Sequence, residues 1–391
     1  MKVSRRAHVP PFAVMEIIAA ANERRAQGES VLNLCAGEPG AGAAEVVRQR
    51  AAALLQAGDL GYTEALGIPA LRAAIAEHYR AQYGVDVPAG RIAVTTGSSG
   101  GFLLAFLAAF DAGDRVALAR PGYPAYANIL SALGCEVVEL PCGPDERYQP
   151  TVALLAAAHA RAPLAGLVVA SPANPTGTMV AADELAALAD WCERHGVRLI
   201  SDEIYHGITY GSWVPATAAA LPAGGGAVVV NSFSKFWGMT GWRLGWLVLP
   251  DGLVGPVGAL AGNVALCPPA LAQHAAVAAF SPDGMAAARA NVAQYARSRA
   301  LLLERLPELG WASVAPADGA FYLYGDVSAS GLDSTTYCAR LLDEAGVALT
   351  PGADFDRTDG SRTVRLSFAA DPAVVAEAVD RIVAWRRGLA G

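Results

Sequence analysis

From about residue 90 the chain repeats one unit: a short unbroken apolar run, a polar turn, then a helical stretch. The runs are Ile92–Thr95, Arg115–Ala119, Glu136–Leu140, Gly166–Ala170, Val197–Ile200, Ala227–Val230 and Leu244–Leu249. Helical stretches such as 102–110 and 182–195 lie between several of them. Strands that are apolar throughout, rather than alternating, belong to sheets covered on both faces, and helical crossovers make such sheets mostly parallel. The expectation is an α/β fold: a three-layer large domain around a mostly parallel sheet. After residue 270 the pattern changes to a long helical region, 270–306, then "GAFYLYGDV", "YCARLLDEAGVALTPG", "TVRLSFA" and a last helix over 372–385. These segments predict a smaller α+β domain. The division read from the sequence is 1–32 as an N-terminal arm and helix packing with the small domain, 33–270 as the large domain, and 271–391 as the small one.

Composition narrows the class. A hydrophobic share of 53% over 391 residues is ample for a large core. Lys and Arg total 29 against 36 Asp and Glu, so the formal net charge is −7 and no basic run is present. That balance excludes a general nucleic-acid binder. The six cysteines are scattered and form no C-x-x-C pair, which fits reduced thiols in a cytoplasmic protein. The opening "MKVSRRAHVPPFAVMEIIAAANERR" imitates a signal peptide, but Glu16 interrupts its apolar part, and an amphipathic helix is the better reading. The longest apolar run, 102–110, is too short for a bilayer, so no membrane association is expected.

In parallel α/β sheets, ligands sit beyond the carboxyl ends of the strands. Those ends carry a consistent set of groups. Gly97-Ser98-Ser99-Gly100 follows one strand and opens a helix, an arrangement of free N–H groups that suits a phosphate. "SPANPTG" with Asn174, "SDEIYHG" with Asp202 and Tyr205, and "NSFSK" with Ser232 and Lys235 follow the next three, and Arg243 comes eight residues after Lys235. Singly, each has an ordinary reading: a βα turn, a helix cap at Asp202, a solvated lysine, an Asn-Pro turn. Together, at the ends of successive buried strands, they describe one crevice holding a lysine, a carboxylate, a phenol, an amide and a phosphate seat.

"SFSKFWGMTGWRLGW", "SPANPTGT", "SDEIYHGI", "GYTEALGIPALRAAI" and "TVRLSFA" resemble, in order, the blocks of the fold-type I, pyridoxal-phosphate-dependent aminotransferases of class I/II. The resemblance runs from about Leu32 to the C-terminus and implies pyridoxal 5'-phosphate as cofactor. Carried over position by position, it implies that Lys235 is the Schiff-base lysine and general base, and that Asp202 pairs with the pyridine nitrogen. Asn174 and Tyr205 would bond the ring's phenolic oxygen, and Tyr123 would stack on the ring. Ser98, Ser99, Gly100, Ser232 and Arg243 would hold the phosphate, with Tyr62 reaching the phosphate of a neighbouring subunit in a homodimer. Arg365, with Gly37 and Asn174, would take the substrate carboxylate. The implied reaction moves an amino group from an amino acid to a 2-oxo acid by a ping-pong aldimine/ketimine sequence. A lyase, racemase or secondary-metabolite cyclase on the same fold is the rival, because the fold does not fix the chemistry. A ligand-sensing regulator would need a basic N-terminal module, and only residues 1–32 precede "NLCAGEPG".

Three departures bear on substrate. The family's "GEPDFPTP" is replaced by "GEPGAGAAEV". One aspartate-using branch carries lysine where this chain has Ser99, and another carries tryptophan where it has Tyr123, so strict aspartate specificity is not expected. "NVALCPPALAQ" replaces a polar helix start and predicts an apolar wall for alanine-like, branched or aromatic substrates. Tyr322 is read as a core residue, and Trp237 and Trp242 read equally as cofactor edge or as packing, so none of the three is included in the site.

Overall fold

The computed structural model describes residues 1–11, 13–58, 60–221 and 226–389. Among these, twelve strands form three sheets. They are β1 (Leu32–Asn33), β2 (Ile92–Thr95), β3 (Arg115–Arg120), β4 (Glu136–Pro141), β5 (Gly166–Ala170), β6 (Arg198–Asp202), β7 (Val228–Ser232), β8 (Gly245–Val248), β9 (Tyr322–Asp326), β10 (Val347–Ala348), β11 (Thr350–Pro351) and β12 (Thr363–Ser367).

The large sheet has seven strands in the order β2-β8-β7-β6-β5-β3-β4. β4, β3, β5, β6 and β7 run parallel, whereas β8 is antiparallel to both its neighbours, β7 and β2. Alternate residues face opposite sides, and both sides are buried. Val228 and Val230 join Phe102, Phe106 and Leu130 in one cluster, and Val229 joins Leu199 and Trp246 in the other. This two-sided burial is why the strands read as continuous apolar runs. The reversal at β8 follows from its connection. Residues 233–244 link β7 to β8 with no α-helix, only turns and the 3-10 turn Thr240–Trp242, whereas a parallel return is usually made through a helix.

The second sheet, β11-β12-β9, is antiparallel, and β1 pairs in parallel with β10. The helix Ala13–Ala26 packs against β10 and β11, with Ala21 in a cluster formed by Val31, Cys35, Leu342 and Ala348. A 3-10 turn, Arg5–Ala7, lies instead against the helix Pro124–Leu133 beside the large sheet. The region 270–306 is not continuous. It divides into Ala270–Ala276, a 3-10 turn and Pro282–Glu304. Ser281 and Pro282 are a helix start: the serine hydroxyl accepts from Gly284 N at 3.2 Å, and proline suits the first helical position. The first piece, Ala270–Ala276, packs on the helix Glu45–Ala57.

Two backbone hydrogen bonds stitch the approach to β9 onto the large sheet's loops: Gly319 N to Gly177 O and Ala320 N to Ile208 O, both 2.9 Å. The carboxyl ends of β5, β6 and β7 therefore open toward the second sheet, and the cavity lies between them.

Candidate active site

The cavity has a volume of about 320 Å³. Its wall contains Gly37, Ser98, Ser99, Tyr123, Asn174, Asp202, Tyr205, Lys235, Arg243 and Arg365. Most arrive from a strand end or a segment beyond one. Asp202 is the last residue of β6, Lys235 is the third residue past β7, Asn174 is the fourth past β5, and Arg365 lies within β12.

Asp202 is buried at 2% exposure. One carboxylate oxygen accepts from Ile204 N at 3.0 Å, and the other accepts a short hydrogen bond from the Tyr126 phenol. Burial pushes its pKa up from the ordinary carboxylate value to about 6, against the opposing pull of Tyr126, Ile204 N and the Lys235 charge. The expected result of Tyr126→Phe follows. A buried ionised acid that loses a donor costs about 1–3 kcal/mol. Losing the donor raises the carboxyl's pKa further, so the loss is full only above that raised value and fades as pH falls from it toward the parent's value of about 6. Denaturant titrations at pH 8 and pH 5 check this; equal losses at both would show that Tyr126 acts only by packing.

Lys235 donates from Nζ to the Gly37 carbonyl at 2.6 Å, and its amine lies 5.8 Å from the centre of the Tyr205 ring. Burial pushes the amine's pKa down to about 8. The Arg365 charge adds to this more than the Arg243 charge does, while Glu38 and Asp202 oppose it. Gly37 has to be glycine for a steric reason: a Cβ there would stand 2.2 Å from the Tyr322 hydroxyl.

Arg365 is 2% exposed. Nη1 donates to Asn174 Oδ1 at 2.7 Å, and Nη2 donates to the Cys35 carbonyl at 2.6 Å and to Thr350 Oγ1 at 3.3 Å. The guanidinium lies over the Tyr322 ring at 4.5 Å and the Phe355 ring at 4.7 Å. Its Nε is buried with no hydrogen-bond partner among the described residues. Tyr322 in turn shares a 2.6 Å hydroxyl–hydroxyl hydrogen bond with Tyr205.

The helix Gly97–Ala109 starts at the cavity with no side-chain cap from Thr96, so its first N–H groups are not met by a capping group. Arg243 stands beside it in a left-handed conformation, φ 52°, and its Nη1 donates to Thr240 O at 2.8 Å. Gly97 has φ +68°, and a Cβ on it would stand 2.3 Å from Arg243 Nη2, so the arginine rests directly on the glycine. Tyr123 packs edge-on to Tyr126, their ring centres 5.3 Å apart, and burial raises its phenol to about 12.

Three expected site residues lie elsewhere. Ser232 is fully buried beneath the wall: its hydroxyl donates to Leu244 O at 3.3 Å and accepts from Ser234 N at 3.0 Å. The turn after β7 brings the Ser234 side chain to the cavity instead. Gly100 belongs to the helix's first turn but does not border the cavity. Tyr62 is 86% exposed and does not reach the cavity of its own chain. The apolar wall expected from "NVALCPPALAQ" is also absent here. Pro269, Leu271 and Ala272 border a neighbouring cavity of about 1030 Å³, together with the loop Gly40–Gly42. Thr240 borders both cavities. In place of that wall, the site is closed by Val14 and Met15.

Tyr126, Ser234, Thr240, Val14 and Met15 were not singled out in the sequence, and Tyr322 was read as a packing residue. Tyr126 had a signal, three residues after Tyr123 in the first turn of the helix that Tyr123 precedes. Tyr322 reads as an aromatic strand residue, and nothing local shows that its hydroxyl meets Tyr205. Among the described residues no group of His, Cys, Asp or Glu is arranged to hold a metal.

Known proteins share this chain's sequence pattern and fold. The sequence model of the family "aminotransferase class I and II" matches residues 29–382. The chain is 55% identical over 384 residues to a valine–pyruvate aminotransferase of Mycobacterium tuberculosis, covering 98% of each. It is 34% identical over 373 residues to an aspartate/prephenate aminotransferase of Thermus thermophilus, covering 95% of each. A crystal structure of an aminotransferase from Mycobacterium tuberculosis superposes with a TM-score of 0.96 at 54% identity, over 99% of this chain and all of that one. An aspartate aminotransferase from Thermus thermophilus with maleate superposes with a TM-score of 0.92 at 32% identity, over 98% of this chain and 99% of that one. With lysine, carboxylate and arginine converging at the strand ends and a family match over nearly its whole length, the chain belongs to the class I and II aminotransferases, enzymes that move an amino group between amino and 2-oxo acids.

Proposed function

We propose that this aminotransferase uses pyridoxal 5'-phosphate and exchanges a small aliphatic amino acid with a small 2-oxo acid such as pyruvate. The observation that carries the reading is the pairing of a buried carboxylate, Asp202, with an amine of lowered pKa, Lys235, in one cavity. The donor set fits the cofactor. An acid held near pH 6 by burial gains from a cationic ring nitrogen, and the helix start at Ser98 and Ser99 beside Arg243 suits a phosphate. When bound, the cofactor supplies an electron-accepting ring that stabilises negative charge at the substrate Cα.

The remaining work belongs to the chain. Lys235, with a pKa of about 8, is partly neutral at physiological pH and serves as the base that takes and returns the Cα proton. Asn174 and Tyr205 would hold the ring's oxygen, Tyr123 would cover its face, and Asp202 would hold its nitrogen. Arg365, held by Asn174 and the Cys35 carbonyl, binds the α-carboxylate with Gly37 beside it. Residues 271–391 form the body that carries Arg365 over the substrate, and residues 33–270 form the body that holds the cofactor. Ser99 leaves no lysine at that point of the wall, and the name of the 55%-identical relative supports valine and pyruvate as the pair to test first.

The functional form is a homodimer in which exposed Tyr62 completes the partner's phosphate site. Leu55, Leu60, Val264 and Leu266, also exposed, supply apolar surface for that contact. A cytoplasmic location is supported by the free thiols: none of the six cysteines is bridged. No helix among the described residues is long and apolar enough to cross a membrane.

A panel of amino acids offered with pyruvate or 2-oxoglutarate, read by product mass, tests the reading. The expected result is isotope from [15N]valine appearing in alanine. Ammonia released in step with 2-oxo acid, without any acceptor, would replace transfer by elimination.

A further inference from the structure

Tyr322 reads as strand packing in the sequence, yet its side chain ends among the working groups of the site. It is the first residue of β9, in the second sheet, but the approach to it is docked on loops of the large sheet. The Gly319 N–H donates to Gly177 O and the Ala320 N–H to Ile208 O, both at 2.9 Å. Gly177 and Ile208 lie three residues past Asn174 and Tyr205, so these bonds tie Tyr322 to the two loops that carry those side chains. The approach has no slack: a Cβ on Gly319 would stand 2.5 Å from the Pro172 ring and 2.8 Å from Ile208 O.

So held, the Tyr322 hydroxyl lies 2.6 Å from the Tyr205 hydroxyl and makes no other hydrogen bond among the described residues. On the protein alone, either phenol can donate to the other. The proposed function, on which this inference rests, sets the cofactor's anionic ring oxygen against Tyr205. An anionic oxygen carries no proton and only accepts. Tyr205 then donates to the ring oxygen, and Tyr322, whose hydroxyl has Tyr205 as its acceptor, donates to Tyr205. Hydrogen bonds in such a chain strengthen one another by about 10–30% per bond. Donation from Tyr322 therefore makes Tyr205 the stronger donor, and a stronger donor lowers the basicity of the anion it meets. The titratable and charged groups facing the two phenols are Arg365 from β12, Asp202 from β6, Lys235 past β7 and the Tyr123 phenol. Removing the Tyr322 hydroxyl leaves all four in place.

We propose that Tyr322 is a positioning residue for the cofactor, acting through Tyr205: its hydroxyl fixes the direction of the Tyr205 hydrogen bond to the ring oxygen and strengthens it. The test is spectroscopic and needs no turnover. With the cofactor joined to Lys235, absorbance changes with pH as the proton shared between the lysine nitrogen and the ring oxygen is lost. A weakened donor leaves the ring oxygen more basic, so the proton is held to higher pH and the midpoint rises. In Tyr205→Phe the rise is expected to be about 1–2 pH units, the worth of one hydrogen bond to a charged group. In Tyr322→Phe it is expected to be about 0.3 units, the cooperative share of that bond. In Tyr205→Phe/Tyr322→Phe the midpoint is expected to match that of Tyr205→Phe alone, because contacting groups that act through one bond are not additive. A 3-fluorotyrosine placed at position 322 has a more acidic hydroxyl and is expected to move the midpoint down, which damage to the fold would not imitate. Melting curves of each variant check that the fold survives. An unmoved midpoint in Tyr322→Phe, or the same rise with and without the Tyr205 hydroxyl, would overturn the proposal. A parent that takes up no pyridoxal 5'-phosphate, or a Tyr205→Phe variant with the parent's midpoint, would instead sink the underlying reading.

Discussion

Lys235→Ala is expected to abolish turnover. The side chain has two tasks in the proposed site, capturing the cofactor aldehyde and moving the Cα proton. Loss of the proton-transfer role alone accounts for roughly 10²–10⁴-fold. The buried amine is also the group whose burial and arginine neighbours lower its pKa to about 8. The rate at which apoprotein combines with pyridoxal 5'-phosphate should therefore rise tenfold per pH unit below about 8 and level above it, because only the neutral amine attacks. Stopped-flow absorbance of the parent measures this. Borohydride reduction followed by peptide mapping should label Lys235, and a label on another lysine would refute the assignment. A flat pH profile would show that burial does not set the amine's protonation.

Asp202→Asn is expected to give the second largest effect. The amide keeps the shape and can still accept from Ile204 N, but it carries no charge to hold the ring nitrogen positive. Breaking one side of a buried charge pair costs about 3–5 kcal/mol, which corresponds to roughly 10²–10⁴-fold in rate. The loss should fall on kcat for amino acids, with retention of the cofactor much less affected, since in the proposed site Ser98, Ser99 and Arg243 would still hold its phosphate. Loss of cofactor with kcat preserved in the fraction that stays loaded would assign Asp202 to anchoring. The neutral side chain should also stabilise the empty protein at pH 8, because a carboxylate whose pKa is raised by burial is destabilising above that pKa.

Much of this arrangement can be read from the chain because two-sided burial leaves clear marks. Runs such as Val228-Val229-Val230 end where polarity resumes, and in a parallel sheet those ends share one edge. Asp202, Asn174 and Lys235 could thus be placed together before any coordinates. What stays hidden depends on turns and on distant contacts. Whether Ser232 or Ser234 faces the cavity is settled by how the chain leaves β7, and the two differ by a hydrogen bond to Leu244 O. The direction of β8 depends on a connection whose 3-10 turn, Thr240–Trp242, has no strong local signature. Tyr322 and Val14 look like packing residues because their partners lie far away in sequence. The wall expected at "NVALCPPALAQ" is apolar as read, but it borders the neighbouring cavity.

The floor and the roof of the site are made of different materials, with a consequence for how such a protein diversifies. Beneath the reacting groups, Gly37 and Gly97 stand against Tyr322 and Arg243 with no room for another carbon, so drift at these positions damages the chemistry before it alters preference. Overhead, the wall is one helix turn, Val14 and Met15, with no glycine wedged against a neighbour. An added carbon is therefore costliest at the floor.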